Sequence, residues 1–350
     1  MPFATAAIRA SSPVKLEAVG RLLDRAGVLA AAHRAWPNRL TVLAYHRIGD
    51  PISASGNSLP ANISATPAAF AEQTEFLRRR FNVISLADLV RWRAGQARLP
   101  RFPALITFDD GYRDNLEAAL PILRAKRLPA ALFVATDCIE GKPFYWDLAA
   151  YCFHRTALTQ AELPIIGRAE WPGGSDRAIL RRWIEAAKRL PDRERRAAVA
   201  ALPEALGVAI PGDAFAGLYL DWDELRALQR GGVDLGAHTC SHAILTRIGP
   251  IEAADEIRGS KTLLETRTGA AVTSFAYPNG GADDFDRGHR KLLASLGIEL
   301  AFTLISGPQG IAAVRRDPLA VRRIFIGHRD DPWRFAAKVC GLTRLLDWLR

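Results

Sequence analysis

The stretch "ALITFDDGYRDN", from Ala104 to Asn115, joins an apolar run to two adjacent carboxylates and a glycine. Asp109 and Asp110 repel each other, and a buried carboxylate is costly unless a positive group compensates it. The stretch therefore predicts a strand that ends in a metal site or an acid–base site. Taken alone, it also fits a helix cap at Asp109, because the residues that follow have a helical pattern.

Short apolar segments alternate with amphipathic helical patterns on both sides of this stretch. We expect strands at residues 40–45, 82–85, 103–108, 129–135, 233–237, 273–277, 300–304 and 323–326. Strands that alternate with helices predict parallel pairing, and near-continuous apolar strands predict a sheet buried on both faces. Seven or eight such units favour an α/β fold of the (β/α) barrel type over an open sheet.

The remaining segments predict additions to this barrel. Residues 140–220 are helical and basic with Pro and Gly clusters, so we interpret them as an insertion between two barrel strands. Apolar residues at helical spacing in 14–35 predict a helix, packed on the main domain or lying on a membrane surface. The expected organisation is an N-terminal helical segment at 1–39, a barrel at 40–335 and a C-terminal helix at 336–350.

Composition narrows the class of protein. The 350 residues suffice for a sizeable core, and the net charge of +10 suits an anionic membrane surface, an acidic polymer or nucleic acid. No basic and aromatic surface typical of nucleic-acid binding is evident. The four cysteines form no CxxC pair, which indicates reduced thiols. With no apolar run of about 18 residues and no secretory pattern, we expect a cytoplasmic protein without a transmembrane helix.

Polar side chains recur at the carboxyl ends of the predicted strands. The carboxyl ends of parallel strands in a barrel meet on one face, so we expect these residues to converge in one pocket. They are Tyr45 and His46, Asp109 and Asp110, His238 and His242, and Tyr277, which "PNGG" follows.

The motif "HTCSH" places His238 and His242 four residues apart. One helical turn would bring both imidazoles to the same side, and two imidazoles with one carboxylate form a catalytic zinc arrangement. Alone, this spacing is more typical of core or surface histidines. Cys240 could add a soft ligand, but at this spacing it points away, so we interpret it as a small buried residue.

The segments "TFDDGYRDN", "HTCSH" and "FAYPNGG", in this order, resemble the polysaccharide deacetylase family, also called carbohydrate esterase family 4 or the NodB homology domain. The resemblance covers about residues 40–335. It implies a distorted barrel of seven strands and metal-dependent hydrolysis of N-acetyl, sometimes O-acetyl, groups on glycans. By this resemblance Asp110, His238 and His242 hold Zn²⁺, or another divalent metal such as Co²⁺ or Ni²⁺, and Asp109 is the general base.

The resemblance leaves two candidates for the general acid that protonates the departing amine. Many family members carry it in a late Leu-x-His motif, which "FIGH" with His328 approximates. In an exopolysaccharide-associated, circularly permuted subgroup it lies on an early strand. Because "LAYHRIGD" resembles that version and His46 follows a strand, we favour His46. The family supplies an oxyanion-binding backbone N–H at the third motif, here Tyr277 or its neighbours.

The third motif departs from the family in one position. Many members carry an Arg there that braces the catalytic Asp, whereas this chain has Ala276. We expect the brace to come from Arg322 or Arg323. The residues expected to bind substrate are Tyr45, Trp222, Pro278, Asn279 and Arg323.

The leading hypothesis is a hydrolase that removes N-acetyl groups from a carbohydrate, either an exopolysaccharide or a glycan precursor. The alternatives are an O-acetyl esterase acting on a glycan and a catalytically inactive glycan-binding barrel. The expected partner is an acetylated glycan, without nucleic acid. The basic insertion and N-terminal segment also suggest peripheral contact with an anionic membrane at its inner face. The sequence predicts no oligomeric state.

Overall fold

The structure, a computed structural model, describes residues 27–51, 56–171 and 177–342. In chain order, its α-helices are α1 (Val28–Ala35), α2 (Pro67–Arg80), α3 (Leu86–Arg93), α4 (Leu120–Lys126), α5 (Thr136–Ile139), α6 (Tyr145–Arg155), α7 (Arg177–Ala187), α8 (Asp192–Ala205), α9 (Trp222–Arg230), α10 (Pro250–Thr268), α11 (Arg287–Ser295), α12 (Ile311–Arg316) and α13 (Pro332–Val339). Its strands are β1 (Arg39–Tyr45), β2 (Arg47–Ile48), β3 (Ile63–Ala65), β4 (Asn82–Val83), β5 (Pro103–Asp110), β6 (Ala130–Val134), β7 (Gln160–Leu163), β8 (Gly167–Glu170), β9 (Val233–Ala237), β10 (Ser274–Ala276), β11 (Leu300–Phe302), β12 (Gln309–Gly310) and β13 (Ile324–Phe325). Short 3₁₀ turns lie at Pro60–Asn62, Leu245–Arg247 and Pro318–Ala320, and a π-helical turn lies at Asn115–Ala119.

All eight predicted strands are present, and they pair parallel in one curled sheet. Its order is β11, β10, β9, β6, β5, β1, with β13 beside β1 and β4 beside the start of β5. Beyond β11 the chain closes the ring, since Val321 accepts a hydrogen bond from the Thr303 N–H and donates one to the Ala301 carbonyl, both 2.8 Å. Three residues later β13 pairs with β1. The result is a distorted barrel of parallel strands, as predicted.

The strands at the centre of this barrel are buried along their whole length, which explains their continuous apolar character. All seven residues of β1 and all eight of β5 are buried, including the two terminal aspartates of β5. Close packing between neighbouring strands excludes a side chain at Gly236 in β9, where a Cβ would lie 2.5 Å from the Phe133 ring on β6. Two carboxylates therefore end a strand that is buried along its whole length.

The segment between β6 and β9 holds the helices α5 to α9, together with an antiparallel hairpin of β7 and β8. The sequence did not predict this hairpin. Its strands have four residues each and are partly exposed, and the turn between them has φ values of 78° at Ile165 and 71° at Gly167. Such short, partly exposed strands carry little of the apolar pattern that identifies a buried strand. The division of the chain into domains stays a prediction.

The predicted terminal helices lie partly outside the described residues. Among the described residues, α1 begins at Val28 and α13 begins at Pro332. Residues 1–26 and 343–350, which hold the rest of the predicted helices, are not described. In the described ranges, no helix combines the length and the apolar character that crossing a bilayer would require.

Candidate active site

The carboxyl ends of the barrel strands open into a cavity of about 570 Å³. Strand ends and the loops after them supply part of its wall, and the insertion supplies another part through α6 and α7. The polar and aromatic lining residues are His46, Asn62, Asp109, Asp110, Trp146, Arg181, Glu185, Lys188, His238, His242, Asn279, Phe325, His328 and Arg329.

Asp110, His238 and His242 form a cluster whose ligand atoms all lie within 4.8 Å of one another. Asp110 Oδ1 is 3.7 Å from His238 Nε2 and 3.6 Å from His242 Nε2. His238 Nδ1 lies 2.7 Å from the Ala276 carbonyl oxygen. As a donor to that oxygen, Nδ1 leaves the Nε2 lone pair directed at the cluster, which is the usual orientation of a metal-binding histidine.

The electrostatics of this cluster fit a divalent cation. Both carboxylate oxygens of Asp110 are buried and have no hydrogen-bond partner in the described part of the chain. Burial, with the charges of Asp109 and Asp147, raises the pKa of Asp110 well above its usual range. Burial also lowers the pKa values of His238 and His242, so both imidazoles are neutral and available as ligands. A cation would remove the cost of the unpaired carboxylate, and two imidazoles with one carboxylate suit Zn²⁺.

The two histidines do not lie on a helical turn, so that expectation is wrong. Residues 238–242 form an irregular loop after β9, with φ values of 64° at Thr239 and 59° at His242. Asp110, at the end of β5, also has a positive φ of 82°. Left-handed conformations of such residues are uncommon and cluster at functional sites. Here they direct the Asp110, His238 and His242 side chains to one point.

Glu256 on α10 holds this loop in place. Its carboxylate accepts hydrogen bonds from the Cys240 N–H (2.8 Å), the Ser241 N–H (2.9 Å) and the Ser241 hydroxyl (2.6 Å). Cys240 Sγ lies 3.5 Å from the Glu256 carbonyl oxygen, facing α10 and not the cluster. Sequence reasoning missed Glu256, because one acid in an amphipathic helix resembles its solvated neighbours.

Asp109 is paired with Arg323 in the barrel interior. The guanidinium donates from Nη1 to Oδ1 (2.7 Å) and from Nη2 to Oδ2 (2.8 Å), and the two residues are 0% and 1% exposed. Arg323 also donates to the Thr107 hydroxyl (3.2 Å) and the Thr303 carbonyl (3.1 Å). Burial alone would raise the pKa of Asp109, but Arg323 and then His238 outweigh it and hold that pKa below its usual range. Asp109 is therefore ionised at neutral pH.

The brace for Asp109 thus comes from Arg323, whereas Arg322 is exposed. The expectation that Arg323 also contacts substrate is wrong, because its guanidinium is fully buried and each of its three nitrogens already donates a hydrogen bond inside the barrel.

Three other residues expected to bind substrate do not line the cavity. Tyr45 is fully buried and donates its hydroxyl hydrogen to Gln73 Oε1 at 2.9 Å. Pro278 is also buried. Trp222 lies on α9, where its Nε1 donates to Glu140 Oε1 at 2.6 Å. Their positions serve packing and helix contacts, not access to substrate.

Tyr277 cannot supply the oxyanion-binding N–H, so that assignment is wrong. Its backbone N–H donates to the Phe302 carbonyl at 3.0 Å, and its hydroxyl donates to the Leu319 carbonyl at 2.9 Å. Asn279, two residues later, lines the cavity with a φ of 58°. Its N–H donates no hydrogen bond to any described residue, so it is the neighbour left with a free donor.

Both candidate acids, His46 and His328, line the cavity, but only His46 lies deep in it. Hydrogen bonds hold its backbone, from its N–H to Ser64 Oγ (2.9 Å) and from Asn115 Nδ2 to its carbonyl (2.8 Å). Its Nδ1 is buried and has no partner among the described residues. Burial lowers the pKa of His46 to about 4, and the charge of Asp109 opposes this shift. His328 is exposed at the rim.

The insertion contributes a buried network that sequence reasoning missed. Asp147 on α6 accepts hydrogen bonds from the hydroxyls of Tyr112 and Tyr219, both 2.7 Å. Burial raises the pKa of Asp147 to about 6, although these hydrogen bonds oppose the shift. The neighbouring Trp146 donates to the Tyr112 hydroxyl (2.9 Å) and packs edge-on against His242, with ring centroids 4.7 Å apart. The aromatic and acidic run "YWD" was its only sequence signal.

Comparison with known families agrees with this geometry. A family model described as polysaccharide deacetylase matches residues 97–301, which include Asp109, Asp110, His238 and His242. The chain belongs to the polysaccharide deacetylase family. Its members are carbohydrate deacetylases, which are hydrolases.

One curated relative is the poly-beta-1,6-N-acetyl-D-glucosamine N-deacetylase of Escherichia coli strain K12. It is 29% identical to this chain over 109 residues. The aligned region is 31% of this chain and 15% of that relative, so the match takes in a small part of the relative's length.

Solved structures of deacetylases share the fold. The deacetylase PplD of Streptococcus pyogenes, in complex with acetate, superimposes with a TM-score of 0.57 at 16% identity, over 87% of this chain and 99% of that chain. IcaB from Ammonifex degensii gives a TM-score of 0.52 at 18% identity, over 87% and 99% of the two chains. At these identities the likeness establishes the fold alone, and it confirms the predicted barrel.

Replacing Arg323 by Ala should lower the free energy of unfolding by about 3–5 kcal/mol, because Asp109 would keep a buried charge without its partner. The adjacent Arg322 is exposed, so Arg322→Ala should change it by less than about 0.5 kcal/mol. Urea unfolding followed by circular dichroism measures both. Equal effects of the two variants would contradict the assigned brace.

Replacing Glu256 by Ala should weaken Zn²⁺ binding by about 10- to 100-fold, because the ligand loop loses three hydrogen bonds. Competition with a chromophoric chelator measures the affinity. The matched control is Glu252→Ala, since Glu252 lies on the same helix but is exposed and pairs with Arg196 at 2.9 Å. A comparable loss in the control would show that α10, and not the Glu256 carboxylate, matters for binding.

Proposed function

We propose that this chain is a metal-dependent hydrolase that removes N-acetyl groups from a glycan. The observation that carries the proposal is that two adjacent buried carboxylates have different surroundings, which suit different roles. Arg323 holds Asp109 ionised. Asp110, in contrast, has no hydrogen-bond partner among the described residues and groups its carboxylate with the imidazoles of His238 and His242. A glycan-binding barrel would need neither a second buried carboxylate nor an arginine dedicated to keeping it ionised.

A divalent cation held by Asp110, His238 and His242 would polarise the acetyl carbonyl and acidify the attacking water. Asp109 acts as the general base. It accepts a proton from that water while the water oxygen forms a bond to the carbonyl carbon. The two hydrogen bonds from Arg323 fix the orientation of the Asp109 carboxylate. They also keep that carboxylate unprotonated before the reaction, because they favour its charged form.

The developing oxyanion needs a hydrogen-bond donor. We assign this role to the backbone N–H of Asn279 instead of the backbone N–H of Tyr277. Asn279 lines the cavity, and its backbone places an uncommitted N–H in the loop after β10. A preorganised backbone donor stabilises charge that is present only in the transition state, so it lowers the barrier instead of tightening ground-state binding.

His46 is the general acid in this proposal. Its pKa of about 4 makes the imidazole neutral before the reaction, so the proton it donates must enter with the attacking water or from solvent. Negative charge on the tetrahedral intermediate favours the imidazolium at that stage. His46 then protonates the amide nitrogen while the carbon–nitrogen bond breaks, which releases acetate and a free amine.

The proposed substrate is an N-acetylglucosamine-containing exopolysaccharide or its precursor. This choice is supported by the name of the Escherichia coli relative, which specifies poly-beta-1,6-N-acetyl-D-glucosamine. Phe325 lines the cavity and is 40% exposed, so its aromatic ring is available for the apolar side of a sugar ring. The cytoplasmic location and membrane contact stay predictions from the sequence.

The zinc-loaded protein should release acetate from β-1,6- or β-1,4-linked N-acetylglucosamine oligomers, and a chelator should abolish this activity. Asp109→Asn should lower kcat by about 100-fold or more while retaining stoichiometric zinc, whereas Asp110→Ala should lose the metal. Enzymatic acetate assay and elemental analysis measure the two properties. Zinc-loaded protein that releases no acetate from any N-acetylated glycan would support the binding-barrel alternative. Release from O-acetyl xylan alone would identify an esterase.

His46→Gln should lower kcat on an N-acetylated oligomer by about 100-fold, because the leaving amine loses its proton donor. His328→Gln is the matched comparison, since it removes the other candidate acid, which also lines the cavity. The His328→Gln variant should lower kcat by a substantially smaller factor. Steady-state acetate release at saturating substrate decides between them. A larger loss in His328→Gln would assign the acid to the late motif.

A further inference from the structure

Two arginines that line the cavity have no acidic partner among the residues that the structure describes. Arg181 comes from α7 in the insertion, and Arg329 comes from the loop after β13. Both are exposed, whereas Arg323 is fully buried and paired with Asp109. Unpaired guanidinium groups from two separate elements therefore share one concave surface.

Arg181 has a potential partner on its own helix but does not use it. Glu185 lies one turn later on the same face of α7, yet its carboxylate pairs with Lys188 at 2.9 Å. Elsewhere in the chain, exposed helical arginines do pair with a neighbouring acid, as Arg78 does with Glu75 at 2.8 Å. The same face of α7 is anchored by Ile184, which is 3% exposed, so the helix presents Arg181 from a fixed support.

Arg329 is followed directly by two acids, and both are engaged elsewhere. Asp330 accepts hydrogen bonds from Lys338 Nζ (2.5 Å) and the Gly327 N–H (2.9 Å). Asp331 caps α13 by accepting the Arg334 N–H at 2.8 Å. The charge of Arg329 is thus left uncompensated by its sequence neighbours.

We propose that Arg181 and Arg329 form an anion subsite that binds an acidic group, a phosphate or a carboxylate, on the acetylated glycan. The inference rests on the proposed function, since it places this subsite in the cavity that holds the candidate catalytic residues. Guanidinium groups bind both kinds of oxyanion through paired hydrogen bonds. A partly enclosed cavity with excess positive charge also concentrates anionic substrates.

The subsite changes the expected substrate class. Asp109 is neutralised by Arg323 and Glu185 by Lys188, so neither carboxylate cancels the two free guanidinium groups. A neutral N-acetylglucosamine polymer would leave both of these charges without a partner. A glycan with a phosphate or a uronic acid near the acetylated sugar would pair with them. The chain is therefore selective for acidic N-acetylated glycans, and the insertion helix provides part of that selectivity.

The test is calorimetric binding to the zinc-loaded His46→Gln variant of this chain, in which turnover is suppressed and the Asp109–Arg323 pair is kept. The probes are N-acetylglucosamine, N-acetylglucosamine 6-phosphate and a disaccharide of glucuronic acid and N-acetylglucosamine. At low salt at least one acidic probe should bind about tenfold or more tightly than the neutral probe, and 0.5 M NaCl should reduce the difference. The tighter acidic probe identifies phosphate or carboxylate as the preferred group.

Added to this background, Arg181→Gln and Arg329→Gln should each reduce the acidic-to-neutral affinity ratio by about three- to tenfold. The matched control is Arg182→Gln, because Arg182 is exposed on the same helix but does not line the cavity. Equal affinity for all three probes would overturn the proposal. An equal fall in the ratio for the control would also overturn it, since net charge alone would then explain the preference.

Acetate release by the wild-type chain from longer oligomers is measured separately. An arginine-dependent affinity ratio without acetate release would uphold the subsite and count against the deacetylase. Acetate release without such a ratio would count against the subsite alone.

Discussion

The burial of two adjacent carboxylates at the end of β5 is the constraint on which the rest of the site depends. Asp109 is compensated by Arg323, a residue 214 positions later that reaches it only because β13 closes the ring beside β1. Asp110 accepts no hydrogen bond from any residue that the structure describes, and the ligand atoms of His238 and His242 lie within 4.8 Å of its carboxylate, a grouping that suits a cation. Closure of the barrel therefore also brings the residues of the candidate site together.

Residues of the candidate site are held in uncommon backbone conformations by residues outside it. Positive φ values at Asp110, His242 and Asn279 would be unfavourable in an isolated peptide. Surrounding contacts impose them, as the Glu256 carboxylate does for the loop before His242. The insertion extends this arrangement, since it packs Trp146 against His242 and adds charged residues to the mouth of the cavity. The candidate catalytic residues therefore lie on the barrel, and the insertion supplies part of the cavity wall.

Most of the fold could be predicted, because parallel strands buried on both faces are continuous apolar runs. All eight such runs became strands of the barrel. The β7–β8 hairpin was missed, since its short, partly exposed strands lack that pattern. The helical turn predicted for "HTCSH" was wrong for another reason. Left-handed conformations at Thr239 and His242 occur in non-glycine residues, so the sequence carries no mark of them.

The sequence by itself determined which residues could do chemistry: Asp109, Asp110 and the two histidines of one motif stand next to recognisable apolar strands. Only the tertiary structure decided which neighbour performs which task. Adjacent residues in extended backbone point to opposite faces, so Arg323 reaches Asp109 while Arg322 faces solvent. Likewise, the Tyr277 N–H is consumed by sheet pairing with Phe302. Such choices depend on the register between distant strands, which no local pattern encodes.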